Sequence, residues 1–284
     1  MSHAAHSAAG WLLARITGVI KTIAPRFLLI CVRSATSLIC FAAVAQTSSA
    51  GLIDVVARVK PSIVLVGTFK AANSPRFNLR GTGFVAGDGN FVVTNAHVIP
   101  DGPETDPEAK IVIQVRTAQG ELQARVANIL EIDKQRDLAL LQFDGAAVQK
   151  LTVRDSDTVR EGQSIAFMGF PIGGALGFSP VTHRGIISSI TAIALPSSNA
   201  SQLNARNVAS LRSGGFNVFQ LDATAYPGNS GGPMFDAETG DVIGVINMVF
   251  IKGTKESALT HPSGISYAIP SKYVVELLSR HKPK

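Results

Sequence analysis

Pro227-Gly228-Asn229-Ser230-Gly231-Gly232-Pro233 is the densest chemical signal in this 284-residue chain. Three glycines surround one serine, so the segment must form a tight turn in which backbone N–H groups can converge on a single point. An acyl-transfer nucleophile needs such a loop: the serine Oγ must be exposed, and donors must sit where a tetrahedral oxyanion forms. A serine alone is a poor nucleophile, so a base and a group that orients it should lie elsewhere. Two stretches upstream offer them. Thr94-Asn95-Ala96-His97-Val98 follows the strand-like Phe91-Val92-Val93, and Arg136-Asp137 opens the apolar run Leu138-Ala139-Leu140-Leu141. Ser230, His97 and Asp137 are therefore the candidate catalytic residues. A further histidine, His183, has no partner motif and reads as structural or exposed.

Working outward, the chain around these motifs is β-rich. Strands are expected at Ser62 to Phe69, Ile111 to Thr117, Leu138 to Phe143, Ser164 to Phe170, Gly185 to Ile193, Phe216 to Asp222 and Asp241 to Phe250. Short β-branched runs separated by Gly, Pro, Asn and Asp signal an all-β sandwich or barrel. Strands never alternate with long helices, which excludes a doubly wound α/β sheet. Helices are expected only near the ends. Leu52, Val55, Val56 and Val59 give a helical period over Gly51 to Lys60, stopped by Pro61. Tyr273, Val274, Leu277 and Leu278 give another over Lys272 to Arg280, with Ser271 as N-cap. Pro196 to Gly215, rich in Ser, Asn and Ala, reads as a mobile loop. No internal repeat is visible.

The three motifs, in the order His, Asp, Ser, resemble those of trypsin-like (chymotrypsin-fold) serine proteases. The wording around them resembles the bacterial HtrA/Deg-like branch. GTGFVAGDGNFVVTNAHV, DLALLQF, EGQSIAFMGFP, RGIISSI, LDATAYPGNSGGPMFD, VIGVIN and GISYAIPSKYV fall in that family's order, from about Gly51 to Ser279. The resemblance implies two six-stranded antiparallel β-barrels with short N- and C-terminal helices. It makes Ser230 the nucleophile, His97 the general base and Asp137 the carboxylate holding the imidazole. The N–H groups of Gly228 and Ser230 would form the oxyanion hole. The sequence departs from the HtrA pattern twice. Ser271 to Lys284 is too short for the PDZ domain that this family usually appends, and Tyr226 stands where a small polar residue is common. The expectation is a serine endopeptidase acting on exported or misfolded polypeptides. The alternative is a catalytically silent binding or chaperone module on the same fold. An esterase is disfavoured, because no Gly-x-Ser-x-Gly elbow surrounds Ser230.

In the trypsin-like fold the floor of the primary pocket lies about six residues before the nucleophile. By resemblance that is Thr224 and Ala225, with Ile246, within Val245 to Met248, on the wall. None is charged. A Lys or Arg side chain would be desolvated there without a counter-ion, at a cost of several kcal/mol. Aliphatic P1 side chains would gain ~0.8 kcal/mol per buried methylene.

The formal charge is +6, but Arg15, Lys21, Arg26 and Arg33 contribute four of those charges within residues 1–45, which hold no acid. The remaining chain carries only +2, so a nucleic-acid partner loses its electrostatic support. Both cysteines, Cys31 and Cys40, and the lone Trp11 also lie in this leader. Its charge-free run, Ser34 to Ala45, would make ~18 Å of helix against a ~30 Å hydrocarbon core. That suits the h-region of a secretory signal, and Ala43-Val44-Ala45 predicts cleavage before Gln46. An uncleaved anchor reaching back through Phe27 is the alternative, and would be the chain's one membrane contact. A lipobox centred on Cys40 is weaker, because Ile39 is bulky. Residues 46–284 would then form one protease domain, exported to the periplasm or beyond. Gly81-x-Gly83-x-x-Ala86 formally matches a dinucleotide fingerprint but opens no helix. There is no Walker loop, no His-Glu-x-x-His and no cysteine pair for zinc, so neither cofactor nor metal is expected.

Overall fold

A computed structural model of the chain describes residues 51–100, 108–117, 119–174, 177–193, 216–247 and 265–281. The leader, the Pro196 to Gly215 segment, and Met248 to Phe250 at the end of the expected Asp241 strand lie outside the described residues.

Helix α1, Leu52–Val59, buries Val55 and Val59, four residues apart on one face, and leaves Ile53 exposed. Pro61 does not end the chain's helical path at once. It sits inside a single 3-10 turn, Lys60–Ser62, where its missing N–H costs nothing. Six strands follow: β1 Ile63–Phe69, β2 Phe77–Ala86, β3 Phe91–Thr94, β4 Lys110–Arg116, β5 Leu122–Asp133 and β6 Leu138–Phe143. They close an antiparallel barrel in the order β1-β2-β3-β6-β5-β4. The next six are β7 Ser164–Gly169, β8 Val181–Ile193, β9 Phe216–Asp222, β10 Pro233–Asp236, β11 Val242–Asn247 and β12 Ile265–Pro270. They close a second antiparallel barrel, β10-β11-β12-β9-β8-β7. Helix α2, Lys272–Arg280, ends the fold. The all-β expectation with two six-stranded barrels and two short helices is borne out.

The continuous apolar runs have a physical reason. Each barrel has its own interior, and a third cluster lies between the barrels, so several strands are buried on both faces. In β1, Val64 and Val66 point into the first barrel while Leu65 joins the shared cluster with Phe84, Leu140, Phe170, Phe235 and Val245. In β11, Ile243 and Ile246 fill the second barrel while Val242 and Val245 face the shared cluster. Helix α2 also packs there through Tyr273, Val274, Leu277 and Leu278. Its outer end is tied to β5: Arg280 and His281 reach the Glu131 carboxylate at 2.6 and 2.8 Å. The Arg280 hydrogen bond, with His281 beside it, holds that carboxyl below its ordinary pKa.

Ser271 is a correction. It precedes α2, but its hydroxyl makes no cap bond and donates instead to the Arg154 carbonyl. The backbone there is already helical (φ −66°, ψ −17°), which leaves the hydroxyl poorly placed to cap. Gly81-x-Gly83-x-x-Ala86 lies within β2 and opens no helix. Among the described residues no helix is long and apolar enough to cross a membrane.

Candidate active site

The segment joining β3 to a 3-10 turn, Ala96–Val98, presents His97. The segment joining β5 to β6 presents Asp137. Its turn is organised by Asp133, whose Oδ1 accepts from the N–H groups of Gln135 and Arg136 and whose Oδ2 pairs with the Arg136 guanidinium at 3.0 Å. Arg136 lies over the Tyr273 ring of α2 at 4.4 Å and 3.5 Å from Glu276. Asp133 is thus spent on its own turn and leaves Asp137 as the acid at the histidine. Asp137 adopts a left-handed φ of 55°, which aspartate tolerates better than most residues.

The Asp137 carboxylate is buried and accepts three hydrogen bonds. Oδ1 takes the His97 backbone N–H at 2.8 Å. Oδ2 takes His97 Nδ1 at 2.6 Å and Asn247 Nδ2, from the end of β11, at 2.7 Å. With Nδ1 carrying the proton toward the carboxylate, Nε2 is left with its lone pair outward, the tautomer a general base requires. Asn95 adds a donor to the Asp137 carbonyl at 2.9 Å, fixing the two segments against each other. Asn247 and Asn95 are site residues that sequence reasoning missed. The one sequence signal for Asn247 was a polar residue ending an otherwise apolar run, Val242-Ile243-Gly244-Val245-Ile246, and the structure buries it fully.

Tyr226 to Asn229 close a four-residue turn, with Asn229 N–H donating to the Tyr226 carbonyl at 2.9 Å. Pro227 stands second and Gly228, at φ 102°, third, the type II arrangement that only glycine fills easily. Thr82 of β2 anchors the next residues from the opposite barrel. Its N–H donates to the Ser230 carbonyl at 2.9 Å and its Oγ1 to the Gly228 carbonyl at 2.6 Å. Gly231 passes so close to β2 that a Cβ would lie 2.2 Å from the Thr82 carbonyl, so no other residue fits at its φ of 84°.

Within this loop the N–H groups of Asn229, Gly231 and Gly232 each donate to a backbone carbonyl. Those of Gly228 and Ser230 donate to no acceptor among the described residues. The Ser230 side chain likewise has no hydrogen bond among the described residues, to His97 or otherwise. The structure therefore joins His97 to Asp137 directly and brings the Ser230 loop against β2, beside the His97 segment, through backbone contacts.

Among the pocket candidates, Ala225 is buried and its N–H donates to Ser266 Oγ at 2.8 Å. Thr224 is half-buried, and Ile246 is fully buried and pairs with Gly231 and Gly232 through its backbone. Met248, on the expected wall, lies outside the described residues. A cleft of about 340 Å³ opens on the first barrel's side of His97, lined by Arg80, Ala96, Ile99, Ile132, Lys134 and Asp137.

Of the two readings of His183, structural or exposed, the structure favours the structural one. The ring is half-buried on β8, stacked on Phe167 at 4.7 Å, and its Nε2 lies 3.4 Å from Asn229 Nδ2. Burial lowers its pKa. The cross-strand pairing of β7 with β8 sets His183 opposite Phe167, a neighbour that a linear motif does not reveal. Among the described residues no group of three or more His, Cys, Asp or Glu could hold a metal.

Two barrels, a histidine–aspartate pair and a serine in a glycine turn define a trypsin-like architecture, and the sequence comparison agrees. The trypsin-like peptidase domain matches residues 81–245, more than half of the chain, and the chain belongs to that family. It is 31% identical over 202 residues to a probable periplasmic serine endoprotease DegP-like of Marinomonas sp. (strain MWYL1), covering 71% of this chain and 35% of that protein. It is 31% identical over 235 residues to the mitochondrial serine protease HTRA2 of Drosophila ananassae, covering 81% of this chain and 47% of that protein. The chain thus spans half or less of the length of these relatives. Among solved structures, the HtrA-type protease AlgW with tripeptide superimposes with a TM-score of 0.57 at 26% identity, covering 81% of this chain and 63% of that one. Deg5 superimposes at 0.56 with 24% identity, a likeness of fold, covering 79% and 90%.

Proposed function

We propose that the chain is a serine endopeptidase in which Ser230, His97 and Asp137 act as one unit on polypeptide substrates. The observation that carries the reading is the pair of acceptor-less N–H groups at Gly228 and Ser230, in one loop with the candidate nucleophile. The 2.6 Å His97–Asp137 contact supports it. Ser230 Oγ attacks the scissile carbonyl as His97 Nε2 takes its proton. The Asp137 carboxylate stabilises the resulting imidazolium and remains ionised. The carbonyl oxygen, now an oxyanion, accepts from Gly228 and Ser230 N–H. Collapse of the intermediate expels the leaving amine with the proton from His97, and water repeats the sequence on the acyl-enzyme. The Ser230–His97 hydrogen bond forms as substrate seats, since such bonds are often loose in unliganded sites. Thr224, Ala225 and Ile246 would line an uncharged primary pocket that accepts aliphatic side chains.

The leader, residues 1–45, is read as an export signal cleaved before Gln46, which would place the protease domain, residues 46–284, on exported or misfolded proteins. A relative named periplasmic is consistent with that compartment. A silent binding module on the same fold is the second reading, favoured by the absence of a Ser230 Oγ hydrogen bond among the described residues. Fluorophosphonate labelling of the purified protein separates the two. Covalent labelling that disappears in Ser230→Ala is expected, and folded protein that stays unlabelled would establish the silent module.

A further inference from the structure

Two non-glycine residues among the described ones adopt a left-handed φ. One is Asp137. The other is Ile172, at 59°, in the 3-10 turn Pro171–Gly174 that follows β7. A β-branched residue is an outlier there, because its Cβ crowds its own backbone. Packing does not demand the conformation, since Ile172 is 40% exposed. What the conformation provides is a hydrogen bond: Ile172 N–H donates to the Pro227 carbonyl at 2.7 Å.

That carbonyl belongs to the peptide unit whose other end is the Gly228 N–H. In a planar trans amide the C=O and N–H point in opposite directions. Holding the Pro227 oxygen toward Ile172 therefore turns the Gly228 N–H away from it, to the face where it meets no acceptor. The next carbonyl, Gly228, is held separately by Thr82 Oγ1, which also accepts from Phe170 N–H at 3.0 Å. Thr82 is fully buried and forms a fixed support. Ile172 sits at the surface, in a backbone conformation it resists, and holds the peptide that carries one of the two candidate oxyanion donors.

We propose that Ile172 is a positioning residue for the oxyanion hole: its backbone N–H latches the Pro227–Gly228 peptide in the productive orientation, and its unfavourable φ sets how firmly the latch is closed. The proposal rests on the serine-peptidase reading and names a control point within it. Releasing the latch lets Ile172 return to an ordinary φ and frees the Pro227–Gly228 peptide to rotate, which removes one of the two oxyanion donors without touching the triad.

The test uses the full chain, with fluorophosphonate labelling rates and with kcat and KM on a fluorescent casein peptide. Ile172→Pro removes the donor and forbids a positive φ. It is expected to slow labelling and lower kcat by ~10²-fold or more, the usual cost of losing one oxyanion donor, with KM and the unfolding midpoint little changed. Ile172→Gly keeps the donor and relieves the φ, and is expected to match or exceed the parent in both rates. A folded Ile172→Pro that labels within about threefold of the parent overturns the latch while leaving the peptidase reading intact. So does an Ile172→Gly as slow as Ile172→Pro. Should Ile172→Pro not fold, replacing Ile172 by its α-hydroxy acid analogue removes the N–H alone and carries the same expectation. If neither the parent nor Ile172→Gly labels, the peptidase reading fails and the latch with it. Labelling by Ile172→Gly but not by the parent would also overturn the latch, because the parent already makes the Ile172–Pro227 hydrogen bond.

Discussion

Removing the Asn247 amide isolates the part of the site that bridges the two barrels. Asn247 Nδ2 donates to Asp137 Oδ2 at 2.7 Å, and both residues are buried. The same oxygen receives His97 Nδ1 at 2.6 Å, so Asn247 holds the acceptor against which the imidazole is aligned. A buried hydrogen bond to a charged group contributes ~1.5–3 kcal/mol. In Asn247→Ala the carboxylate keeps both His97 contacts and loses this one. If the full value is lost from the transition state, kcat/KM falls by ~10- to 150-fold. The loss should fall mainly in kcat, because the Asn247 amide holds the carboxylate that orients the base. Hydrolysis of a fluorescent casein peptide under single-turnover conditions measures it, with thermal unfolding as a control. A folded Asn247→Ala with parental kcat/KM would refute the reasoning and show that His97 alone holds the carboxylate.

Three further outcomes are expected. Burial lowers the His183 pKa, so the unfolded chain binds a proton that the folded chain resists. Stability from this group is full above its ordinary value of ~6.5, declines as pH falls from there toward the folded value, and is constant below that. The unfolding midpoint should drop between pH 7.5 and 5.5 by less in His183→Phe than in the parent; equal drops would contradict the assignment. Ala225→Ile should shift cleavage toward smaller P1 residues in a peptide-library digest read by mass spectrometry, whereas dominant cleavage after Lys or Arg would sink the pocket assignment. Glu131→Gln breaks up a half-exposed ion cluster and should lower stability by no more than ~1 kcal/mol in urea unfolding, with a larger loss showing that α2 docks chiefly through it.

The residues legible from sequence were those whose role demands a local pattern. Gly228 and Gly231 advertise a turn around Ser230 because glycine alone adopts their φ angles easily, and Leu138–Phe143 and Phe216–Asp222 were readable to the residue because they are short, apolar and sharply bounded. Strand β5 was missed for a physical reason. It lies on the surface with Gln123, Ala124 and Asn128 exposed, and a bulge between Ile129 and Glu131 breaks its alternation. Strand β2 was hidden by Arg80 and by the glycines that let it pass beneath the serine loop. Strands β10 and β12 are short and begin or end at proline. Asn247 reaches Asp137 across 110 positions, and Ile172 acts through its backbone, so no local motif ties either of them to the site.

The central claim is that His97 and Ser230 share one mechanism, and the rates of Ser230→Ala, His97→Ala and the double variant test it most directly. Each single substitution is predicted to lower kcat by ~10⁴–10⁶-fold, and the double variant to be little worse than either, because either loss already disables the unit. Losses that multiply, so that the double variant is slower by the product of the two, would contradict it.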